Sequence, residues 1–372
     1  MKILYTATVL SHICQFHLPH IARLKALGHT VHVAAHDNLA VKNGLQLRHA
    51  DRFFEIPFHR SPASPDNLRA YRALKALLDR ERYDLILCNT PMGGIVTRLA
   101  AIPHRKKGTR VLYMAHGFHF YRGASKKAWA VYYPIEKAMA RLCDGIITIN
   151  EEDHALAKSS FSVPVYHIRG VGVDPERYHP AADPGPLRAA LGLGPEHFAV
   201  LCTGELNENK DQRTLIAAAA QLKSRIPGLK VLLAGNGPTE DALRQQIADL
   251  GLEDTVALLG YRTDLEQIVP AMDLIVSCSR REGLGLNLIE AMLCRKPILA
   301  AENRGHRELV AGGMTGFLFP PGDMDTLAEC MLRIYADPGL ALRMGQAGYA
   351  RARHYTVDAV AETLIPILEV QP

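Results

Sequence analysis

At 372 residues the chain exceeds the length over which one hydrophobic core usually keeps growing, so two domains are expected. Apolar residues make up 48% and charged residues 22%, the balance of a soluble globular protein, and no apolar run approaches the roughly 18 residues that a membrane helix needs. Charge is divided unevenly: residues 1–180 carry 25 Lys+Arg against 14 Asp+Glu, and residues 181–372 carry 18 against 24. Either the first half faces something anionic, such as a membrane surface or a phosphorylated substrate, or a solvated surface drifts in composition. Seven cysteines lie scattered with no C-x-x-C spacing, which excludes a zinc-ribbon or disulfide framework and fits reduced thiols in a cytoplasmic protein.

In chain order, "KILYTA" reads as a first strand and not as a signal-peptide core. "TVLSHICQFH" reads as a loop, "LPHIARLKALGH" as a helix with Pro19 in its first turn and Gly28 as its stop, and "TVHVAAH" as a β-branched strand. "YDLILCNT" before "PMGGIVTRLAA", "RVLYMAHG", and "DGIITIN" before "EEDHALAKS" continue the pattern. The second half repeats it: "FAVLCTG", the loop "ELNENK", a helix over "DQRTLIAAAAQLKSR", and "GLKVLLAGNG" running into a glycine turn. "TVALLG", "DLIVSCS" before "LNLIEAMLC", and "PILAAEN" follow. These apolar strands predict two tandem Rossmann-like doubly wound α/β domains. The Gly/Pro-dense "RGVGVDPERYHPAADPGP" predicts a junction, giving domains over 1–180 and 181–352, with a C-terminal helix at about 353–372 packing back on the first. Ligands of such sheets bind beyond the carboxyl ends of strands, so a cleft between the domains is the expected site.

The segment "DLIVSCSRREGLGLNLIEAM" meets that condition. A strand over Asp273–Ser277 leads to a loop holding Glu282, and a helix starting near Gly285 to Asn287 turns its free N–H groups toward a diphosphate. Glu290, in the first turn, would repel phosphate and suits neutral hydroxyls such as a ribose diol. Alternatively, Asn287-x-x-Glu290 is a capping box in which Glu290 only satisfies backbone. The pair Asp323-x-Asp325 resembles a metal-binding Asp-x-Asp but precedes a helical run, so helix capping is the better reading. His12, His17 and His20 lack an acidic or cysteine partner at ligand spacing, so no metal site is expected.

"EGLGLNLIE" resembles the signature of the family 4 glycosyltransferases, whose fold, GT-B, has two Rossmann-like domains. "GVGVDPERYHP", "LLAGNGP", "LGYRTDLEQIVPAMDLIVSCSRREG" and "RGHRELVAGGMTGFLFPPGD" resemble further segments of the family in the same order. "YDLILCNTPMGG" and "AHGFHFYRGASKKAWAVYYPIEKAMARLCDGIITINEED" resemble its bacterial branch in capsular and exopolysaccharide biosynthesis. The resemblance implies a retaining, metal-independent hexosyltransferase with no required cofactor. It would move a hexose or N-acetylhexosamine from a nucleotide sugar, a UDP-sugar, to a lipid-linked or oligosaccharide acceptor.

Residue by residue, the resemblance gives Glu282 the hydroxyls of the donor sugar, Leu284, Gly285, Leu286 and Asn287 the sugar and diphosphate through their amides, and Glu290 the ribose. Tyr261 and Arg262 hold the base through their backbone, and Lys210, in the loop opening at Gly204, contacts the diphosphate. Glu205 stands where many relatives carry arginine, so Lys210 and the helix dipole suffice or Arg280 or Arg281 assists. His116 matches a histidine facing the donor sugar, with His119 as the near alternative, while His12 and His17 remain candidates on the acceptor side. Arg105, Lys106, Lys107, Lys126 and Lys127 lie near Trp129, Tyr132 and Tyr133, which fits either peripheral contact with an anionic membrane or a solvated loop beside a buried helix. No nucleic-acid motif accompanies the charge. The rival readings are a GT-B-like sugar-nucleotide epimerase, which would want further carboxylates at the sugar, a phosphorylase, which would need a lysine-bound cofactor, and a non-catalytic nucleotide-sugar-binding protein.

Overall fold

In the computed structural model residues 1–42 and 44–370 are described. The chain divides into two units, Met1–Gly172 with Val357–Pro372, and Val173–Thr356. The first holds β1 (Lys2–Val9), β2 (Thr30–His36), β3 (Arg52–Glu55), β4 (Leu85–Asn89), β5 (Arg110–Ala115), β6 (Gly145–Thr148) and β7 (Val165–His167). The second holds β8 (Phe198–Thr203), β9 (Leu229–Ala234), β10 (Val256–Gly260), β11 (Leu274–Ser277), β12 (Ile298–Ala301) and β13 (Gly316–Phe319).

All strand pairs are parallel, in the orders β3-β2-β1-β4-β5-β6-β7 and β10-β9-β8-β11-β12-β13. Every residue of β4, β5 and β11 is buried, as follows when helices cover both faces of a parallel sheet. In each unit the strand order reverses beside the first strand, at β1/β4 and at β8/β11. Loops leaving adjacent strands there diverge to opposite faces and open a crevice at the carboxyl ends. This is the doubly wound architecture that the strand pattern implies.

Three details differ from the sequence reading. "TVLSHICQFH" is largely a helix, Leu10–Phe16, because Leu10, Ile13 and Cys14 share one buried face even though polar residues interrupt the run. The break between units falls after Gly172 and not after Pro180, since Val173 already pairs with the second unit: its N–H donates to Tyr355 O at 3.0 Å. The return to the first unit begins at Val357 and not at 353. There the helix Val357–Glu369 packs on the helix Leu18–Ala26, and the Arg110 guanidinium donates to Ile367 O at 2.6 Å and Val370 O at 2.9 Å. Residues 371 and 372 of the expected helix lie outside the described residues.

In the first unit the helix Pro91–Ala100 lies close on β1. A β-carbon at Gly93 would stand 2.7 Å from Thr8 N, so only glycine permits that approach. Ser125 caps the helix Lys126–Ala140, where Trp129 turns inward, donating to Tyr121 O at 3.1 Å and packing on Phe120. Val131, Tyr132 and Ile135 face outward instead. The seven cysteines are unpaired thiols. Among the described residues no helix is long and apolar enough to cross a membrane.

Candidate functional site

In the second unit the loops after β8 and β11 meet at the switch point. The β8 loop opens at Gly204 and is shaped by Asn207, whose side-chain oxygen accepts from Asn209 N and Lys210 N, both at 3.0 Å. It is tied to the β11 loop by Arg280 N donating to Asn209 O at 2.8 Å and by the Asn209 amide donating to Arg281 O at 3.0 Å. These ties bring Lys210 Nζ to 2.6 Å from Glu282 Oε1.

Burial alone would raise the Glu282 pKa, but Lys210 and His306 outweigh it and hold the carboxyl below its ordinary range. Burial likewise works against the Lys210 charge, and Glu282 reverses that, so the lysine stays protonated. Both partners are therefore ionised in a site shielded from bulk water.

The helix Leu286–Leu293 starts beside this pair. Gly285 precedes it at φ 96°, a left-handed conformation suited to glycine, and no side chain caps the helix. A β-carbon at Gly285 would press on the His306 imidazole at 3.1 Å, so the backbone also needs the space. Leu284 is buried, Leu286 N and Asn287 N stand among the helix's first N–H groups, and the buried Asn287 Nδ2 has no hydrogen-bond partner among the described residues. An unspent side-chain donor beside an uncapped helix N-terminus is an arrangement that receives an anion or a ring of hydroxyls.

Glu290 is not part of a capping box. With the cap at Gly285 it lies one full turn into the helix, and its carboxyl accepts instead from the Tyr178 hydroxyl. Burial dominates there and pushes its pKa up to about 7, against the smaller pull of Tyr178 and Arg177. Arg177 itself pairs with Glu266 at 3.1 Å.

Arg280, considered above as an aid to phosphate, is committed to Asp211 at 2.9 Å. Glu205 is exposed, and its carboxylate accepts from the Asn207 amide at 3.1 Å. Tyr261 is exposed just past β10, and Arg262 forms a two-point pair with Asp264 at 2.8 and 2.6 Å, which leaves their backbone at the strand's carboxyl end. Asp323 caps the helix Met324–Ala336, accepting from Thr326 N at 2.9 Å, as the capping reading holds.

Sequence reasoning missed His306 and Tyr178. His306 follows β12, is fully buried, and donates from Nδ1 to Ala301 O at 2.6 Å, which leaves Nε2 as an acceptor 3.3 Å from Ser277 Oγ. Asn303 holds it in place, accepting from His306 N at 3.0 Å and donating to Ser279 O at 2.7 Å. The available signal was a histidine shortly after a strand, the same signal that singled out His116.

In the first unit the switch point gathers histidines. His12 lies in the helix Leu10–Phe16, His17 at its end, and His116 just past β5. His12 Nε2 is 3.2 Å from His116 Nε2, which is 3.1 Å from Asn89 Oδ1 at the end of β4. Burial lowers all three imidazole pKa values, that of His116 to about 4. His119 does not join them: it stacks on Tyr132 with centroids 4.7 Å apart. His20 also stands apart, bonded to Val171 O at 2.8 Å. Next to the cluster the first unit alone builds a cavity of about 580 Å³, lined by His12, Arg60, Met92, His119, Tyr132 and Ile135 among others.

Residues 20–177 match the family described as Glycosyltransferase Family 4, and residues 186–351 match Glycosyl transferases group 1. A protein of Bacillus subtilis (strain 168) bearing the name glycosyltransferase EpsD is 40% identical, over 98% of this chain and 96% of that one. The UDP-Gal:alpha-D-GlcNAc-diphosphoundecaprenol alpha-1,3-galactosyltransferase of Escherichia coli is 28% identical over 77% of this chain and 75% of its own. Among solved structures, Anabaena HepE in complex with UDP and glucose superposes with a TM-score of 0.81 at 26% identity, covering 99% of both chains.

Proposed function

The chain belongs to the family 4 glycosyltransferases, and from that premise we propose that it is a retaining enzyme moving a hexose or N-acetylhexosamine from a UDP-sugar to a lipid-linked or oligosaccharide acceptor in surface polysaccharide assembly. The observation that carries this reading is the Lys210–Glu282 pair beside the uncapped start of the helix Leu286–Leu293. A UDP-sugar offers matching groups: a diphosphate for the N–H groups and Lys210, sugar hydroxyls for Glu282, and a ribose diol for Glu290. The nucleotides bound by HepE and named for the E. coli relative lend support to the uridine base, which Tyr261 and Arg262 would meet through their backbone.

In the proposed reaction the bond from the anomeric carbon to the diphosphate breaks through an oxocarbenium-like state. The acceptor hydroxyl attacks the same face, and its proton passes to the departing phosphate oxygen. Lys210 and the helix N-terminus stabilise the charge that develops on that phosphate, so the diphosphate requires no divalent ion. Glu282 fixes the sugar through its hydroxyls. The cavity in the first unit, with an apolar wall and Arg60 at its edge, suits a lipid-linked acceptor, and the outward Val131, Tyr132 and Ile135 suit contact with the inner membrane face that presents it.

The test is a panel of nucleotide sugars assayed for transfer and for thermal stabilisation of the chain. UDP-sugars are expected to raise the melting temperature, and Glu282→Ala is expected to lose transfer while retaining UDP. Stabilisation by no nucleotide sugar, or full transfer by Glu282→Ala, would end this reading. A second result follows from the exposed acid at the mouth of the site. Glu205→Arg is expected to tighten UDP binding about threefold to fivefold, the size of one exposed charge contact, and the gain should fade at high salt. Calorimetric titration at two ionic strengths checks it.

A further inference from the structure

The histidines at the first unit's switch point have a property that the proposed transfer chemistry does not use. One ring nitrogen from each of His12, His17 and His116 lies within 4.8 Å of the other two. One edge, His12 Nε2 to His116 Nε2, is 3.2 Å. Two nitrogens bound to one tetrahedral zinc ion at about 2.05 Å stand about 3.3 Å apart, so that edge already has the size a shared ion requires.

His17 carries the independent observation. It is fully buried, and neither Nδ1 nor Nε2 has a hydrogen-bond partner among the described residues. Buried polar atoms in native proteins are almost always paired, because an unpaired one forfeits its hydration without return. Here an imidazole is held dry beside two others with its lone pair unspent. An oxygen donor is also at hand: the Asn89 amide nitrogen is fixed on Thr6 O at 3.2 Å and Leu87 O at 3.3 Å, which turns Oδ1 toward His116 at 3.1 Å.

We propose that His12, His17 and His116 form a binding site for a divalent transition-metal ion, with Zn²⁺ the ion that their all-imidazole donor set suits. Three neutral imidazoles match the borderline character of zinc and disfavour magnesium and calcium, which take oxygen ligands. Three protein ligands leave a fourth position for Asn89 Oδ1 or water. The site supplies no counter-charge, and Arg60, which bears on His12, opposes a cation, so binding is expected to be reversible and not permanent. His116 is also the residue that the family resemblance gives to the donor sugar, so an ion there would occupy it. Binding is therefore measured without nucleotide, and its outcome stands apart from that of the transfer reading.

The experiment is calorimetric titration of the full-length chain, freed of metal by a chelator, with ZnCl₂. One ion per chain is expected, with at least a tenfold loss of affinity in His17→Ala. Should that variant not fold, His12→Ala, at the cavity wall, is expected to lose as much. Co²⁺ in place of Zn²⁺ should give the visible d–d bands of a nitrogen-ligated, low-coordinate site. Absence of stoichiometric binding, affinity unchanged in the folded variant, or a cobalt–thiolate charge-transfer band placing the ion on cysteine would overturn the proposal.

Discussion

Replacing Lys210 by methionine is expected to lower the rate of glycosyl transfer by about 10²- to 10³-fold, the loss that follows removal of one preorganised charge from a developing anion, about 3 to 4 kcal/mol. The side chain is positioned for little else: its ammonium lies 2.6 Å from Glu282 in a loop that Asn207, Asn209 and Arg280 hold shut. The partner's response makes the result diagnostic. Glu282 keeps a depressed pKa because Lys210 and His306 outweigh burial, so without the lysine the balance tips and the carboxyl takes up a proton nearer neutrality. Adding Glu282→Gln to Lys210→Met removes the stranded carboxylate and is expected to recover about 1 to 3 kcal/mol of stability without recovering transfer. Thermal melts and initial rates on the two variants check both halves. Transfer restored along with stability would show that the pair only holds the loops together.

Much of this site could be read from the chain alone, for a physical reason. An apolar run at helical spacing directly after a strand and a short loop marks a helix whose start faces the strand's carboxyl end, and Leu286–Leu293 is such a run. The apolar strands fixed the doubly wound class because burial on both faces removes alternation from β4, β5 and β11. What the sequence hid were the meetings. Lys210 and Glu282 lie far apart in the chain, and only the reversal of strand order at β8/β11 turns two unrelated loops into neighbours. The same holds in the first unit, where His116, past β5, replaces His20 as the companion of His12 and His17. The short helix Leu10–Phe16 escaped notice because a two-turn apolar face interrupted by serine, histidine and glutamine is too brief to show a period. Glu290 was open to two readings because Asn287 could have capped the helix; the left-handed Gly285 moved the start by a residue or two and left the carboxyl to Tyr178.

Glu290 should make both stability and nucleotide binding depend on pH, in opposite directions. Its pKa is raised to about 7 in the folded chain, so the fold favours the protonated acid. That contribution is fully present below the ordinary glutamate value and is lost as pH rises through about 7. Glu290→Gln keeps the group neutral while its amide oxygen can still accept from Tyr178. The variant is therefore expected to match the wild type below the ordinary glutamate value and to exceed it by about 2 kcal/mol at pH 8, allowing for solvent screening of a partly exposed group. In the second unit this corresponds to a rise of several degrees in melting temperature. Binding runs the other way. A ribose diol donates two hydrogen bonds to the carboxylate, favours the charged form, and so expels the proton. Affinity for UDP is expected to rise about tenfold from pH 6 to pH 8 in the wild type, as the fraction of carboxylate ready to accept grows. In Glu290→Gln that component disappears, and UDP binds more weakly at pH 8. Comparing the two proteins at each pH cancels the titration of the phosphate itself, so the ratio reports Glu290 alone. Calorimetry across this range decides the matter: equal pH dependence in both proteins would place the ribose elsewhere, whereas a more stable variant that has lost affinity would tie the strained acid to the sugar it is proposed to hold.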